Sequence, residues 1–435
     1  MGGLSQGDRE SGRGTDREIS RTSVEKLSIC LVSPGHLASN PRLVKEADAL
    51  VEKGHRVHVI YGETFTPAIS RDADVLRKAK WSSQKVSLFS DRGRGLRWRA
   101  GQKLAYSLFK KGVGGTEVLC RASHPLFPGL RRAAFRHKAD LYVGHCLPAL
   151  PVVVAAAARN DSRCAFDAED FHSGENEAAG DGAVSNRLAR KIESRFLIRC
   201  DYLSAASPLI AQAYHETYGV EPTTLLNVFP LEEAGCPEPA PVLPAFYWFS
   251  QTVGPGRGLE EMIAILRALS RPVRLDLRGH ASADYRRTLE SLAQDSGVEV
   301  RLLPPDAPAT MAPHATGYTA GLALEKRQPM NRDICLTNKA FTFLLAGIPV
   351  ILSKTLAQEA LAAELGGAAM LIDLTKPVES SASLATWLDS PEQQAKARMH
   401  SIHLGRERFN WDNEKQKLLE LVHTSRPASG VAPKQ

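Results

Sequence analysis

The sequence predicts an α/β protein made of two Rossmann-like domains, each built on a parallel sheet. A strand–helix–strand unit opens near the amino terminus, and a second α/β run starts at Tyr247. A proline-rich segment, 228–245, lies between them and is interpreted as a linker. The predicted ranges are a disordered tail at 1–25, domains at 26–227 and 246–405, a carboxyl-terminal helix at 406–423 and a second tail at 424–435.

Composition limits the class of partner. The 435 residues are 43% hydrophobic and 24% charged, with a net charge of +7, which fits an anionic ligand or membrane surface and does not indicate nucleic acid. The seven cysteines include no C-x-x-C pair, so we expect free thiols in a reducing compartment and no metal site. The polar amino terminus lacks a signal-peptide core, and no apolar run approaches a membrane span. We therefore expect a cytoplasmic protein.

The amino-terminal domain opens with the strand LSICLVS, which runs into Pro34, Gly35 and His36. A helix ending at Gly54 follows, with apolar residues at helical spacing, and then the strand RVHVIYG. No G-x-G-x-x-G follows the first strand, which argues against a dinucleotide-binding domain. Gly35 allows close backbone approach, and His36 and Asn40 are expected to face the cleft.

Residues 78–137 are dense in Lys and Arg, interleaved with Trp, Leu, Tyr and Phe. One interpretation is an amphipathic surface that contacts anionic lipid. The other is a solvated pair of helices.

Polar side chains follow two further strands. The strand LYVG ends at His145, and RCAFDA leads into DAEDFHSGE, which carries Asp167, Glu169, Asp170 and His172. The carboxyl ends of parallel strands meet at one edge, where ligands bind. A buried structural histidine, a hydrated acidic loop, or a turn capped by Asp167 remain alternatives.

The second domain opens with the strand FYWFS and the loop QTVGPGRG before a helix. Gly254, Gly256 and Gly258 are spaced two apart, so the loop is neither a P-loop nor the dinucleotide fingerprint. Glycines let backbone N–H groups approach an anion, and the helix adds its positive end. Gln251 and Thr252 are the loop's candidate ligand contacts.

The stretch from Gly321 to Ser353 is a strand, a polar loop, a helix and a strand. We expect five of its polar side chains at the carboxyl edge of the parallel sheet. The lysine among them lies at the helix start, where a phosphate can bind. Glu325 holds ligand hydroxyls or pairs with Arg332 or Lys326. The five are Glu325, Arg332, Asp333, Asn338 and Lys339.

Three motifs carry a resemblance to a known family. NKAFTFLLAGIPVI resembles the "NK-F-E-Y-L-A-AG-PV" segment of retaining glycosyltransferases with the GT-B fold, of the family 4 type. The opening "SPGH-ASNPR" and the Arg257-Gly258 pair are similar to the same family. The resemblance spans roughly residues 27–422. It implies two domains facing each other across a cleft, with a last helix that crosses back onto the first domain.

The resemblance also implies site residues. Arg257 matches the lysine that meets the diphosphate, and His145 matches a histidine that touches the donor sugar; with Lys339 they are the predicted catalytic residues. Two positions depart from the family's paired glutamates, since Thr342 and Ile334 stand there, and Cys146 replaces the usual aspartate. Thr342 can make only single hydrogen bonds to a diol. The acceptor side of the cleft is assigned to Gly35, His36, Asn40, Arg42, Glu169, Asp170 and His172.

The resemblance implies transfer of a sugar from a nucleoside diphosphate donor to a hydroxyl of a glycan or lipid-linked acceptor, with retention, in polysaccharide or glycolipid synthesis. No metal or other cofactor is expected. A peripheral contact with an anionic membrane at its inner face is a further expectation. The alternatives are a nucleotide-sugar epimerase, a phosphorylase, or a scaffold without activity, which the departure at Thr342 favours.

Overall fold

The computed structural model describes residues 26–424, which form two parallel-sheet α/β domains. The predicted tail at 1–25 and residues 425–435 of the other tail lie outside the described residues. The first sheet has seven parallel strands in the order β3-β2-β1-β4-β5-β6-β7. Its strands are β1 Ser28–Val32, β2 Arg56–Glu63, β3 Ser82–Ser87, β4 Leu141–His145, β5 Arg163–Ala168, β6 Tyr202–Ala205 and β7 Thr223–Thr224.

The second sheet has six parallel strands in the order β10-β9-β8-β11-β12-β13. Both sheets reverse their strand order once, between β1 and β4 and between β8 and β11. Ligands of doubly wound sheets bind outside the carboxyl ends of the strands at that point. The strands are β8 Ala245–Val253, β9 Val273–Ala281, β10 Val298–Leu303, β11 Ala320–Ala323, β12 Val350–Ser353 and β13 Ala369–Ile372.

Helices cover both faces of each sheet. In the first domain they are α1 Pro41–Glu52, α2 Ile69–Lys78, α3 Arg92–Lys110, α4 Thr116–Ser123, α5 Phe127–Arg136, α6 Leu150–Asn160, α7 Gly180–Phe196 and α8 Pro208–Tyr218. In the second domain they are α9 Leu259–Ala268, α10 Ala283–Ala293, α11 Met311–Ala315, α12 Met330–Ile334, α13 Asn338–Leu345, α14 Leu356–Leu365, α15 Pro377–Leu388 and α16 Pro391–Glu407.

The basic stretch at 78–137 differs from the helix pair considered above. It contains the edge strand β3 and three helices, α3, α4 and α5. Four of the six residues of β3 are exposed, so the strand has no apolar alternation that the sequence could reveal.

The last helix, α17 (Trp411–Thr424), returns to the first domain. Its Trp411 N–H donates to the Phe229 carbonyl at 2.8 Å, and Glu414 accepts from the Leu226 N–H at 2.9 Å. The predicted architecture of two Rossmann-like domains with a crossover helix is confirmed. No helix among residues 26–424 has the length and apolar character that crossing a membrane requires.

Candidate functional site

The glycine-rich loop lies at the switch point of the second sheet. Gly256 and Gly258 have φ angles of 74° and 77°, a region that residues other than glycine rarely adopt. A Cβ on Gly258 would also lie 2.8 Å from Leu374 Cδ1. Gly258 caps α9, so the loop presents Arg257 at the amino end of a ten-residue helix. Gln251 and Thr252 are exposed and lie earlier, in the bulged end of β8.

Lys339 lies in the first turn of α13, at the neighbouring helix start. Its side chain is buried, and its Nζ lies 5.4 Å from the centre of the Trp248 ring. Burial lowers the pKa of Lys339, with Glu325 opposing this effect and Arg257 adding to it. Glu325 and Arg257 are therefore both close enough to Lys339 to act on its charge. The side chain of Asn338, just before Lys339, is half-buried.

Glu325 follows β11 and is 3% exposed. Its backbone is held by Ser353, which accepts from the Glu325 N–H at 2.8 Å and donates to the Glu325 carbonyl at 2.7 Å. Its carboxylate has no hydrogen bond or ion pair with residues 26–424. Lys326 instead pairs with Glu261 at 2.6 Å, and Arg332 donates to the Gly256 carbonyl. The pairing of Glu325 with Lys326 or Arg332 is thus absent.

Three of the predicted donor contacts are occupied by the protein itself. Thr342 is 1% exposed and donates its hydroxyl to the Asn338 carbonyl at 2.9 Å, one turn back in α13. Asp333 accepts from the Leu356 N–H at 2.9 Å and lies 3.3 Å from Arg327. Arg332 braces the glycine loop. Thr342 is thus engaged inside α13, whereas Arg332 keeps further N–H donors and Asp333 keeps a second carboxylate oxygen beyond these contacts.

His145 ends β4 at the switch point of the first sheet. It is 1% exposed, with Nε2 2.9 Å from Glu46 and Nδ1 3.3 Å from Asp167, although neither contact has hydrogen-bond alignment. Burial lowers the pKa of His145, but Glu46 and Asp167 outweigh it and raise the pKa to about 10. Both ring nitrogens of His145 face protein carboxylates in this conformation, and its contact with a donor sugar stays a prediction.

Arg42 joins the same buried group. Its Nε and one terminal nitrogen donate to the two oxygens of Asp167 at 2.6 and 2.7 Å, and its other nitrogen donates to the Leu225 carbonyl. Burial would raise the pKa of Asp167, yet Arg42 and His145 hold it well below its usual range. Arg42 is 4% exposed, so it forms the floor of the cleft and does not line its acceptor side.

His36 and Asn40 are also buried. His36 Nδ1 donates to Asp72 at 2.5 Å, while its Nε2 accepts from the Thr64 and Phe65 N–H groups at 3.0 Å. The two ring nitrogens thus bond to α2 and to the loop after β2, and His36 has none left for an acceptor. Asn40 caps α1 by accepting from the Leu43 N–H at 3.0 Å, and its buried Nδ2 lacks a partner among the described residues.

Gly35 and Cys146 lie beside these buried side chains, the first with open space in front of it and the second with a strained backbone. The nearest atom to a Cβ built on Gly35, outside its chain neighbours, would be Ser33 Oγ at 3.8 Å, so space remains in front of this glycine. Cys146, after His145, has φ 64° and ψ 148°, a region that is almost confined to glycine. Such strain costs about 1–3 kcal/mol and clusters at functional sites.

The acidic loop after β5 faces the second domain. Burial and neighbouring Asp170 raise the pKa of Glu169 to about 7, against the effect of Arg42. Burial and Glu175 likewise raise the pKa of Asp170. His172 Nδ1 lies 2.7 Å from Glu175, and its pKa is about 9 because Glu175 outweighs burial. Glu169 also accepts from Asn227 at 3.1 Å.

Sequence reasoning missed Asn331, which contacts the acidic loop from the second domain. It lies in α12, a one-turn helix inside the segment interpreted as a polar loop. The signal that could have found α12 is Pro329, because proline is common at helix starts. Nothing local marks the partner of Asn331, which comes from the other domain.

Residues 26–424 contain no group of three or more His, Cys, Asp and Glu side chains placed to hold a metal ion. Arg257, Lys339 and Glu325 make no side-chain hydrogen bond or ion pair within the described residues. Glu169 and Asp170 each use one carboxylate oxygen, in bonds to Asn227 and Asn331.

Comparison with solved structures identifies the fold. The structure of HepE from Anabaena with UDP-glucose matches with a TM-score of 0.64 at 16% identity, covering 91% of this chain and 99% of that one. Sucrose-phosphate synthase from Thermosynechococcus elongatus matches with a TM-score of 0.67 at 13% identity, covering 91% and 98%. A putative UDP-N-acetylglucosamine 2-epimerase from Listeria monocytogenes matches with a TM-score of 0.58 at 10% identity, covering 94% and 100%. The fold is therefore GT-B.

The amino-terminal domain can be placed more narrowly. Residues 39–230 match the family model described as the glycosyl transferase 4-like domain. This part of the chain is similar to such a domain, and the chain as a whole has the GT-B fold. Comparison with curated protein sequences found no match.

Proposed function

We propose that the protein transfers a sugar from a nucleoside diphosphate donor to an acceptor hydroxyl. The single observation that carries this is the proximity of Arg257 and Glu325 to Lys339 at the starts of α9 and α13, with a Glu325 carboxylate that makes no hydrogen bond or ion pair within residues 26–424. Two cations and two helix amino ends suit a diphosphate. A carboxylate without a partner suits the hydroxyls of a ribose or sugar.

The chemistry follows from those charges. The bond from the sugar carbon to the diphosphate breaks, and negative charge develops on the leaving phosphate. Arg257 and Lys339 stabilise that charge, and such fixed electrostatics is usually the largest catalytic contribution. The acceptor hydroxyl then bonds to the sugar carbon, with retention of configuration, and its proton passes to the leaving phosphate. No cofactor or metal takes part in this scheme.

The acceptor side is assigned to Glu169 and Asp170. Both carboxyls have raised pKa values, so the loop holds a proton near neutral pH and can donate as well as accept hydrogen bonds. That mixed capacity suits the hydroxyls of a glycan or glycolipid. His145 and Arg42 act one layer beneath, where they fix the carboxyl ends of β4 and β5.

A thermal-shift panel of UDP, GDP and ADP, each with and without an attached sugar, tests the donor site. UDP is the first to try, because the HepE structures contain UDP and UDP-glucose. At 100 times its dissociation constant a ligand stabilises the protein by about 2.7 kcal/mol. Arg257→Ala is expected to abolish the shift. The control is Arg267→Ala at the far end of α9, where the side chain donates only to the Leu292 carbonyl.

Turnover separates this proposal from its rivals. A transferase releases the nucleoside diphosphate, slowly to water or faster to an acceptor. An epimerase, the function named for the Listeria structure, changes the sugar while the sugar and the nucleoside diphosphate remain joined. Binding without either change would support a scaffold. No thermal shift with any nucleotide would reject the transferase.

We further propose that α3 contacts the anionic inner face of the cytoplasmic membrane. Leu96 and Leu104 are 70% and 63% exposed on this helix. They share the outer face of α3 with Lys103, and Arg97 and Arg99 flank them. On a membrane surface the two leucines can enter the apolar layer while the three cations contact lipid phosphates.

Vesicle sedimentation tests this contact. Wild type is expected to bind vesicles containing anionic lipid and not neutral ones, with Leu96→Ser plus Leu104→Ser abolishing binding. Val378→Ser, at a site 74% exposed on α15, is the control. Equal binding of the leucine variant and the wild type would refute the contact.

A further inference from the structure

The two domains touch across the cleft at α12. Asn331 Oδ1 accepts from the Phe171 N–H at 2.7 Å, and Asn331 Nδ2 donates to Asp170 Oδ1 at 2.7 Å. A third bond crosses nearby, from the Ser207 hydroxyl to the Ile334 carbonyl at 2.6 Å. The acidic loop of the first domain is therefore bonded directly to one turn of helix in the second.

The orientation of the Asn331 amide is dictated by its partners. A backbone N–H only donates, so the amide oxygen must face Phe171, and the NH₂ group then faces the Asp170 carboxyl. Asn331 is 8% exposed, so water competes little for these bonds. A side chain of this size with one acceptor and one donor end is required; aspartate has the shape but lacks the donor.

The other side of the same turn contacts the glycine-rich loop that is proposed to bind the donor. Arg332 donates to the carbonyl of Gly256, between the two left-handed glycines. Asp333 accepts from the Leu356 N–H and so fixes the start of α14. Residues 331, 332 and 333 thus bond, in succession, to the acidic loop, the glycine loop and a neighbouring helix. A helix of five residues cannot shift at one of these contacts without moving the others.

We propose that Asn331 is a positioning residue that couples closure of the domains to the shape of the donor loop, a role that rests on the proposed function. When Asn331 bonds to Asp170 and Phe171, Arg332 holds the Gly256 carbonyl and Arg257 is placed for the diphosphate. When the bonds across the cleft are lost, α12 is free to move and the glycine loop loses its brace. Donor binding and contact with the acidic loop then favour each other, because the linkage is reciprocal.

A charge exchange tests this coupling. Asn331→Asp keeps the shape and the bond from Phe171 but brings a second carboxylate against Asp170. Adding Asp170→Asn restores one donor and one acceptor with the polarity reversed. We expect Asn331→Asp to weaken nucleoside diphosphate binding about tenfold, within the 5–150-fold range typical of allosteric coupling. The double variant is expected to recover most of that loss, which non-additivity in a double-mutant cycle would reveal.

Hydrogen exchange of the protein without ligand gives a second measurement. Asn331→Asp is expected to speed exchange in both the 168–176 and 254–258 segments, and the double variant to slow both again. Faster exchange only at 168–176, with 254–258 unchanged, would overturn the coupling. If no variant binds any nucleotide, the proposed function fails, and the exchange of the two loops still decides whether α12 couples them.

Discussion

Glu325 and Ser353 exchange two hydrogen bonds across adjacent strands, from the Glu325 N–H to the Ser353 hydroxyl at 2.8 Å and from that hydroxyl to the Glu325 carbonyl at 2.7 Å. Gln358 secures the pair by accepting from the Ser353 N–H at 2.7 Å. The backbone of Glu325 is thus fixed at both of its polar groups, while its carboxylate has no partner among residues 26–424. A fixed backbone with an unused carboxylate supports the proposal that Glu325 binds a ligand.

Replacing Glu325 with Gln is expected to weaken binding of the nucleotide sugar about 10–100-fold, because hydrogen bonds to a charged group are worth about 1.5–3 kcal/mol. Calorimetric titration with the nucleotide that stabilises the wild type provides the measurement. Glu261→Gln is the control, since that carboxylate already pairs with Lys326. Equal affinities of Glu325→Gln and the wild type would remove Glu325 from the donor site.

Thr342→Val is expected to leave donor binding unchanged. Its hydroxyl is satisfied by the Asn338 carbonyl inside α13, and its side chain is sealed from the cleft. The substitution is expected to lower the free energy of unfolding by about 1 kcal/mol, since one intrahelical hydrogen bond is lost. Titration and urea unfolding check both points. A loss of affinity comparable to that of Glu325→Gln would show that Thr342 reaches the ligand after all.

The fold could be predicted from the sequence because its strands are short apolar runs separated by helical patterns and punctuated by Gly and Pro. Strand β3 escaped because it is an exposed edge strand within a basic stretch. The cleft-floor residues were harder. Arg42 and Glu46 are one turn apart on α1, and both are buried against His145 and Asp167. Charge normally predicts exposure, so their burial shows only when three separate segments are brought together.

The contacts of polar loop residues were equally hard to predict from the sequence. The segment after β11 is rich in polar side chains. Which of them remain free depends on distant partners, such as Leu356 for Asp333 and Gly256 for Arg332. Such pairings leave no periodic pattern in the sequence, since they join loops from different parts of the chain.

His145→Gln is expected to destabilise the protein by about 3–5 kcal/mol near pH 6, because it removes a buried positive charge from between two carboxylates. The pKa of His145 is raised from 6.5 to about 10 on folding. The stabilisation is therefore fully present below pH 6.5 and lost as the pH rises through 10. Urea unfolding of both proteins from pH 6 to pH 10 should show the difference shrinking. A difference that stays constant over this range would contradict a charged His145.

Lys45 lies where the chain crosses between the domains. Its Nζ donates to the Val228 carbonyl and to Asn227 at 3.2 Å, and it lies 4.6 Å from the centre of the Phe229 ring and 5.3 Å from that of Trp411. Burial, together with Arg42, lowers the pKa of Lys45 from 10.5 to about 7, against the effect of Glu233.

Because the folded protein releases the Lys45 proton more readily than the unfolded chain, this residue makes stability rise with pH between about 7 and 10.5. The contribution is complete above the unfolded pKa and is lost as the pH falls to the folded one. Lys45→Met fills the same space without a charge and should remove a slope of at most about 1.4 kcal/mol per pH unit. Urea unfolding of the wild type, Lys45→Met and the exposed control Lys53→Met measures this. Parallel pH profiles for the wild type and Lys45→Met would mean that Lys45 keeps its proton throughout, held by the Val228 carbonyl and the two aromatic rings.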